Sequence, residues 1–213
     1  MGSREQILAK LRRSRKPFTD VTPPSERHRM VPLEDTDPSA LRQRFIAEAE
    51  AVGCYVYDRS TQKAAIEKIA ELAGDDTQIL SWDESHIPIR GFSGKLKSAG
   101  LGIADPDNSS LRVGVTGADV ALAATGSIVL ASGEGKHRTT SLLPDVHVAV
   151  IKEDQLIPDL EYWLATCKDD NLQAFKQSSN IVVVTGPSKT ADIAQVLIKG
   201  AHGPREIHII ILK

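Results

Sequence analysis

From Asp37 onward, short apolar runs of strand length alternate with amphipathic stretches of helical period, and this rhythm constrains the fold more than any other feature. Asp37 can cap a helix whose first residue is Pro38; Leu41, Phe45, Ala49 and Val52 share one face of it and Gly53 ends it. Cys54 to Asp58 reads as a strand. Ser60 then caps a second helix that gathers Ile66, Ile69, Ala70 and Ala73 before Gly74, and Gln78 to Trp82 is the next strand. Helix, strand, helix, strand with short links predicts an α/β fold with a parallel or mixed sheet covered by helices. Further strands are expected at Leu111 to Val115, Ser127 to Ala131, Val146 to Ile151, Ile181 to Thr185 and Ile207 to Leu212. Helices are expected around Ala118 to Ala124, Pro158 to Cys167 and Thr190 to Lys199. Asp83 to Asn108, rich in Gly, Ser, Lys and Pro, breaks the rhythm and reads as a functional loop or a mobile lid.

Residues 1–36 stand apart as a basic helix and a Pro-rich linker, leaving 37–213 as a single domain. Ser3 with Gln6 matches a capping box, and Ile7, Leu8 and Leu11 form an apolar edge. Lys10, Arg12, Arg13, Arg15 and Lys16 crowd the helix end, where positive charge suits the helix dipole; a docking arm for an acidic partner is the other reading. Pro17, Pro23, Pro24 and Pro32 hold the linker extended.

Several classes of protein are disfavoured by composition. A net charge of −2 argues against a nucleic-acid binder. There is no apolar run of about 18 residues to insert in a membrane and no apolar stretch after the basic start, so a cytoplasmic protein is expected. Two cysteines, Cys54 and Cys167, cannot hold an iron–sulfur cluster, which needs about four thiolates. The six histidines show no metal-ligand spacing, and no G-x-G-x-x-G follows any strand, so neither a metal nor a nicotinamide or flavin cofactor is expected.

Three segments place Gly and hydroxyl residues where strands give way to helices. The first is Thr116-Gly117-Ala118-Asp119, followed by Thr125-Gly126-Ser127. Free N–H groups at a helix start attract carboxylate or phosphate oxygens, while plain turns with Asp119 steadying a helix start are the alternative. The second is Gly133 to Ser141, where Arg138 and Ser141 offer a guanidinium and a hydroxyl. It is not a Walker motif, because His137 follows Gly135-Lys136, and a solvated hairpin tip competes with the ligand reading. The third runs from the apolar strand Ile181-Val182-Val183-Val184 into Thr185-Gly186-Pro187-Ser188-Lys189-Thr190-Ala191-Asp192. Its hydroxyls and lysine crowd a helix start expected beyond the carboxyl end of a strand, where open α/β sheets bind ligands. His202, in Gly200-Ala201-His202-Gly203-Pro204-Arg205, sits in a tight loop beyond that helix. Asp192 and His202 are the candidate proton-handling groups, whereas His147 and His208 fall inside strands.

Taken together, the blocks Thr116 to Asp119, Thr125 to Ser127, Ser141-Leu142-Leu143-Pro144 with His147, Thr185 to Ile193 and Gly200 to Pro204 resemble the LUD-domain family, and within it the lactate-utilisation C branch. The resemblance spans roughly Leu111 to Lys213. It implies an α/β fold with a layered Rossmann-like core, a mixed or parallel sheet with helices on both faces, similar to the sugar-phosphate isomerase and CoA-transferase group. It also implies a role beside two iron–sulfur partner proteins that oxidise L-lactate to pyruvate; the chain itself reads as the non-redox subunit. From the three segments themselves, a small anionic ligand is expected at Thr116, Gly117, Thr125, Gly126, Ser127, Arg138, Ser141, Thr185, Gly186, Ser188, Lys189 and Thr190. Two departures bear on catalysis: Ala124 and Ala194 stand where the family usually has acidic residues. The rival is a stand-alone isomerase, ligase or transferase acting on a phosphorylated sugar, a folate or a CoA thioester on the same kind of scaffold.

Overall fold

The structure, a computed structural model, describes residues 2–14, 33, 35–108, 110–190 and 198–213. The chain divides into two compact units, Met1–Met30 and Val31–Lys213. The first carries α1 (Ser3–Ser14), whose start differs by one residue from the expected capping box: the Gly2 N–H donates to the Glu5 carboxylate at 3.1 Å. Its apolar edge of Ile7, Leu8 and Leu11 is exposed. Arg15, Lys16 and the expected linker prolines lie outside the described residues.

The second unit opens with α2 (Pro38–Ala51), capped as expected by Asp37, whose carboxylate accepts from Ser39 N at 3.1 Å. Leu41, Phe45 and Ala49 are buried beneath it. β1 (Tyr55–Ser60) extends to Ser60, which pairs with Leu212, so Thr61 rather than Ser60 caps α3 (Gln62–Ala73). After β2 (Gln78–Ser81) the structure departs from a plain loop. α4 (Phe92–Ser98) and β3 (Gly102–Ile103) interrupt the stretch, and Ile87, Ile89, Phe92, Leu96 and Leu101 anchor it in the core. A lid would leave these side chains in water; here they are buried.

β4 (Val113–Thr116) is followed not by the expected helix but by β5 (Val120–Leu122), which turns into β6 (Ser127–Ser132) as an antiparallel pair. Then come α5 (Thr139–Leu142), β7 (Val146–Lys152), β8 (Leu156–Ile157), α6 (Leu160–Asp169), α7 (Gln173–Gln177) and β9 (Asn180–Val184). The expected helix over Thr190 to Lys199 has strand ends: β10 (Lys189–Thr190) pairs antiparallel with β11 (Ile198–Lys199), and the residues between lie outside the description. β12 (Glu206–Leu212) completes the fold.

The layered α/β architecture is as expected, with a detail that decides where ligands can sit. Six parallel strands form the central sheet in the order β1-β12-β7-β4-β2-β3. β7 and β12 are almost wholly buried, which is why they read as continuous apolar runs. A second sheet, β8-β5-β6-β9, is mixed, and β9 runs antiparallel to β6 within it. The parallel sheet is covered on both faces. α3 places Lys68 over the Tyr57 ring on one face, and α5 lies against Gly114 on the other, as the register of β1, β12, β7 and β4 shows.

Candidate functional site

Because β9 belongs to the mixed sheet, the turn that follows it does not lie beyond the carboxyl ends of the parallel strands. It lies at their amino edge. Ser188 N donates to Pro204 O at 2.9 Å, just ahead of β12, and Gly186 packs against Val52, just ahead of β1. Strand composition alone cannot reveal this, since an apolar run carries no direction.

A cavity of about 390 Å³ opens at this edge, and it collects much of what the sequence singled out: Arg138, Ser141, Thr185, Gly186, Ser188, Lys189, Thr190 and His202. Its apolar wall comes from Val182, Val184, Leu142 and Ile207. The polar groups are committed to different degrees. Ser188 braces the loop: its hydroxyl accepts from His202 N at 3.3 Å and its carbonyl from Gly200 N at 3.0 Å. Lys189, expected to hold an anion, instead donates from Nζ to Val52 O at 2.7 Å and so satisfies a carbonyl at the end of α2. Ser141 donates to Arg138 O at 3.2 Å. The guanidinium of Arg138 and the imidazole of His202 are exposed, and neither has a side-chain partner among the described residues. Asp192 lies outside the described residues.

Other singled-out residues are engaged elsewhere. With no helix after it, Thr116-Gly117-Ala118-Asp119 offers no bundle of free N–H groups. Thr116 is fully buried and shares a 2.8 Å hydrogen bond with Nε2 of His147. Gly117 lies so close to the His86 carbonyl that a Cβ would overlap it. Asp119 accepts from Ala131 N at 2.7 Å and pairs with Lys136 at 2.6 Å, bridging β5, β6 and the hairpin tip. Thr125, Ser127 and Thr185 form a chain of hydroxyls with links of 2.7 Å, and only Thr185 of the three lines the cavity. Gly126, at φ +62°, fits against the backbone of Ala49 in α2. Ala124 is buried and does not line the cavity.

Two histidines in the parallel sheet are perturbed. His147 is buried, its Nδ1 finds no partner among the described residues, and its pKa is depressed to about 4, first by desolvation and then by the charge of His208. His208 donates from Nε2 to the Glu206 carboxylate at 3.0 Å, and its Nδ1 shares a 2.9 Å hydrogen bond with Tyr57 OH. Burial lowers its pKa, and Glu206 opposes that shift. Among the described residues no group of His, Cys, Asp and Glu is arranged to hold a metal.

Sequence reading missed the crevice at the opposite, carboxyl edge of the parallel sheet. Two grooves of about 430 and 670 Å³ meet there, sharing Ser85, Ile87, Pro88 and Lys152. The sequence carries a signal for it, since Asp83 to Asn108 reads as a functional loop or a mobile lid, though no residue type in it points to a role.

A parallel sheet clad on both faces, with a mixed sheet built from the segments between β4 and β7 and between β7 and β12, defines a layered Rossmann-like α/β protein. The chain belongs to the LUD domain family, whose model matches residues 42–212. It is similar to lactate utilization protein C of a Geobacillus species, with 30% identity over 131 residues, 62% of this chain and 53% of the relative. Lactate utilization protein C of Halalkalibacterium halodurans is 37% identical over 100 residues, 46% of this chain and 44% of the relative. The chain thus spans about half the length of the curated relatives that it matches. A crystal structure of a DUF162 family protein from Deinococcus radiodurans superposes with a TM-score of 0.62 at 18% identity, covering 85% of this chain and all of that one; at such identity the likeness concerns the fold.

Proposed function

We propose that this chain is a non-redox component of a lactate-utilisation system, and that it binds a small carboxylate anion in the amino-edge cavity. The relatives named lactate utilization protein C support the process. The observation that carries the site is the meeting of Arg138 and His202 on one cavity whose remaining wall is aliphatic. A guanidinium matches a carboxylate with two parallel hydrogen bonds, and the alkyl body of a short hydroxy or keto acid would lie against Val182, Val184 and Ile207. Ser141 and Thr185 would supply further hydrogen bonds, with His202 the group able to take or give a proton. Residues 37–213 act as one domain in this reading, and electrons leave through iron–sulfur partner proteins in the cytoplasm. It accords with the lack, among the described residues, of any helix long and apolar enough to cross a membrane.

Isothermal titration of the purified full chain with L-lactate and with pyruvate tests the reading. Replacing Arg138 by Gln removes a charge-assisted contact of about 1.5–3 kcal/mol, so affinity should fall at least about tenfold with the fold intact. Equal affinity in the variant, or normal growth on lactate of cells carrying it, would remove Arg138 from the site. The rival reading, a stand-alone isomerase, ligase or transferase, is favoured by the carboxyl-edge crevice, and turnover by the purified chain without partners would establish it.

A further inference from the structure

The carboxyl-edge crevice is built where a parallel sheet changes winding direction. β2 leads through α4, which packs on α3, on the face that carries Tyr57. β4, its neighbour in the sheet, leads through β5, β6 and α5, and α5 lies on the Gly114 face. Chains leaving adjacent parallel strands toward opposite faces part at their carboxyl ends, and open α/β sheets bind ligands in the crevice so formed. Here the grooves are lined by the segments that follow β2, β4 and β7: Ser85 to Arg90, Asp119, and Lys152 to Gln155.

The walls of this crevice are braced from within. Gly117 admits the His86 carbonyl to close contact, fixing the loop after β2 across the end of β4. Gln155 accepts from Lys152 N at 2.8 Å and donates to Ala118 O, tying the ends of β7 and β4 together. Glu84 accepts from Ser93 N at 3.3 Å, and Asp119 is held by Lys136. Two carboxylates are thereby committed to the framework. Against them, the side chains of Lys152 and Arg90 have no ion-pair partner among the described residues, His86 meets the Trp82 ring edge-on at 6.5 Å between centroids, and of the acids lining the grooves Asp154 alone is likewise unpaired there. Lys152 lines both grooves, beside the apolar surface of Ile87 and Pro88. Unpaired cations around a preformed, partly apolar crevice suit a ligand with an anionic end and a neutral body.

We propose that this crevice is a second small-molecule site, for a ligand whose carboxylate or phosphate end is held by Lys152 and Arg90 and whose body reaches His86. It is independent of the lactate-anion reading, since it lies at the other edge of the sheet and shares no residue with the first cavity.

The full chain is titrated with inorganic phosphate and, separately, with pyruvate, in the wild type, Lys152→Gln, Arg90→Gln and Arg138→Gln proteins. Amide chemical shifts report where each anion sits. The proposal expects shifts in residues 84–90 and 152–155, affinity at least about tenfold lower in Lys152→Gln and lower in Arg90→Gln, and no change at these residues in Arg138→Gln. Response to phosphate alone identifies a phosphorylated ligand, and response to pyruvate a carboxylate; either supports the site. Shifts confined to residues 182–190 and 202–204 and abolished by Arg138→Gln would overturn it while leaving the first cavity standing. Equal affinities in all four proteins, or no binding of either anion, would also overturn it. All three side chains are exposed, so circular dichroism should confirm that each variant folds.

Discussion

Acid should weaken this protein through His147. The imidazole is fully buried between strands of the parallel sheet, its Nε2 bonded to Thr116 and its Nδ1 unpartnered among the described residues, so a proton added to it would bring an unpaired charge into the core. Its pKa falls from 6.5 to about 4. A histidine with a depressed folded pKa binds fewer protons folded than unfolded between those two values. Its contribution is therefore intact above pH ~6.5 and shrinks as pH falls toward ~4. At about 1.36 kcal/mol per pKa unit the full loss approaches ~3 kcal/mol, and roughly 2 kcal/mol of it should be gone by pH 5. For a chain of this size 2 kcal/mol corresponds to about 4–8 °C in Tm. Urea unfolding at pH 7.5, 6, 5 and 4.5 on the wild type and on His147→Gln reads the effect as a difference of slopes. The variant starts less stable, having lost the Thr116 contact, but should lose about 2 kcal/mol less than the wild type between pH 7.5 and 5. Parallel slopes would refute the reasoning, because they would mean that His147 is as protonated in the fold as out of it.

Three further outcomes follow from local geometry. Gly126→Ala should cost at least ~2 kcal/mol in chemical denaturation, since the methyl group would meet the Ala49 backbone at a φ of +62°; a loss below ~0.5 kcal/mol would contradict the close seating of α2. Lys189→Ala should cost about 1 kcal/mol or less, the worth of an exposed hydrogen bond to Val52 O, and a tenfold loss of anion affinity without loss of stability would show that it serves the ligand instead. Cys54, buried and with its thiol pushed up to about 11 by desolvation against the weaker opposing pull of Gly186 N–H and Lys189, should resist alkylation at pH 8 until the chain unfolds; rapid labelling of native protein would contradict that burial.

What could be read from the sequence was whatever is decided locally or by burial on both sides. Asp37-Pro38 marks α2 through cap chemistry, and the apolar runs Val146 to Ile151 and Ile207 to Leu212 mark strands, which the structure buries in the parallel sheet. Ala118 to Ala124 failed as a helix because seven residues rich in Ala have no period long enough to decide; pairing with β6 and β8 makes its centre a strand. Asp83 to Asn108 failed as a mobile lid because its Gly and Ser content hid Ile87, Ile89, Phe92, Leu96 and Leu101, whose burial is what orders it. At the candidate site, three of the segments picked out by residue type, around Arg138, Thr185 to Thr190 and His202, converge on one cavity, whereas Thr116 to Asp119 and Thr125 to Ser127 do not reach it. Which edge of the sheet they occupy was not legible, since it depends on β9 pairing antiparallel with β6.

β4 gives these two edges a common support, and that leads to a last prediction. The strand and its exit read Val113-Gly114-Val115-Thr116-Gly117, and each glycine admits a backbone carbonyl where a Cβ would not fit. At Gly114 the neighbour is Thr140 of α5, the short helix that follows Arg138 and contains Ser141, so Gly114 sets how near those side chains come to the amino-edge cavity. At Gly117 the neighbour is His86, so Gly117 sets the loop that walls the carboxyl-edge crevice. Both contacts are with backbone, which cannot swing aside as a side chain would, and a methyl group should displace each by a few tenths of an ångström or more. Gly114→Ala should therefore weaken carboxylate binding in the first cavity while leaving amide shifts at residues 84–90 close to wild type. Gly117→Ala should do the reverse. Each is expected to cost about 1–3 kcal/mol of stability, so binding is compared at a temperature where both variants remain folded. If either substitution disturbed both edges equally, the two sites would not be mechanically separate, and the case for a second, independent ligand would fail.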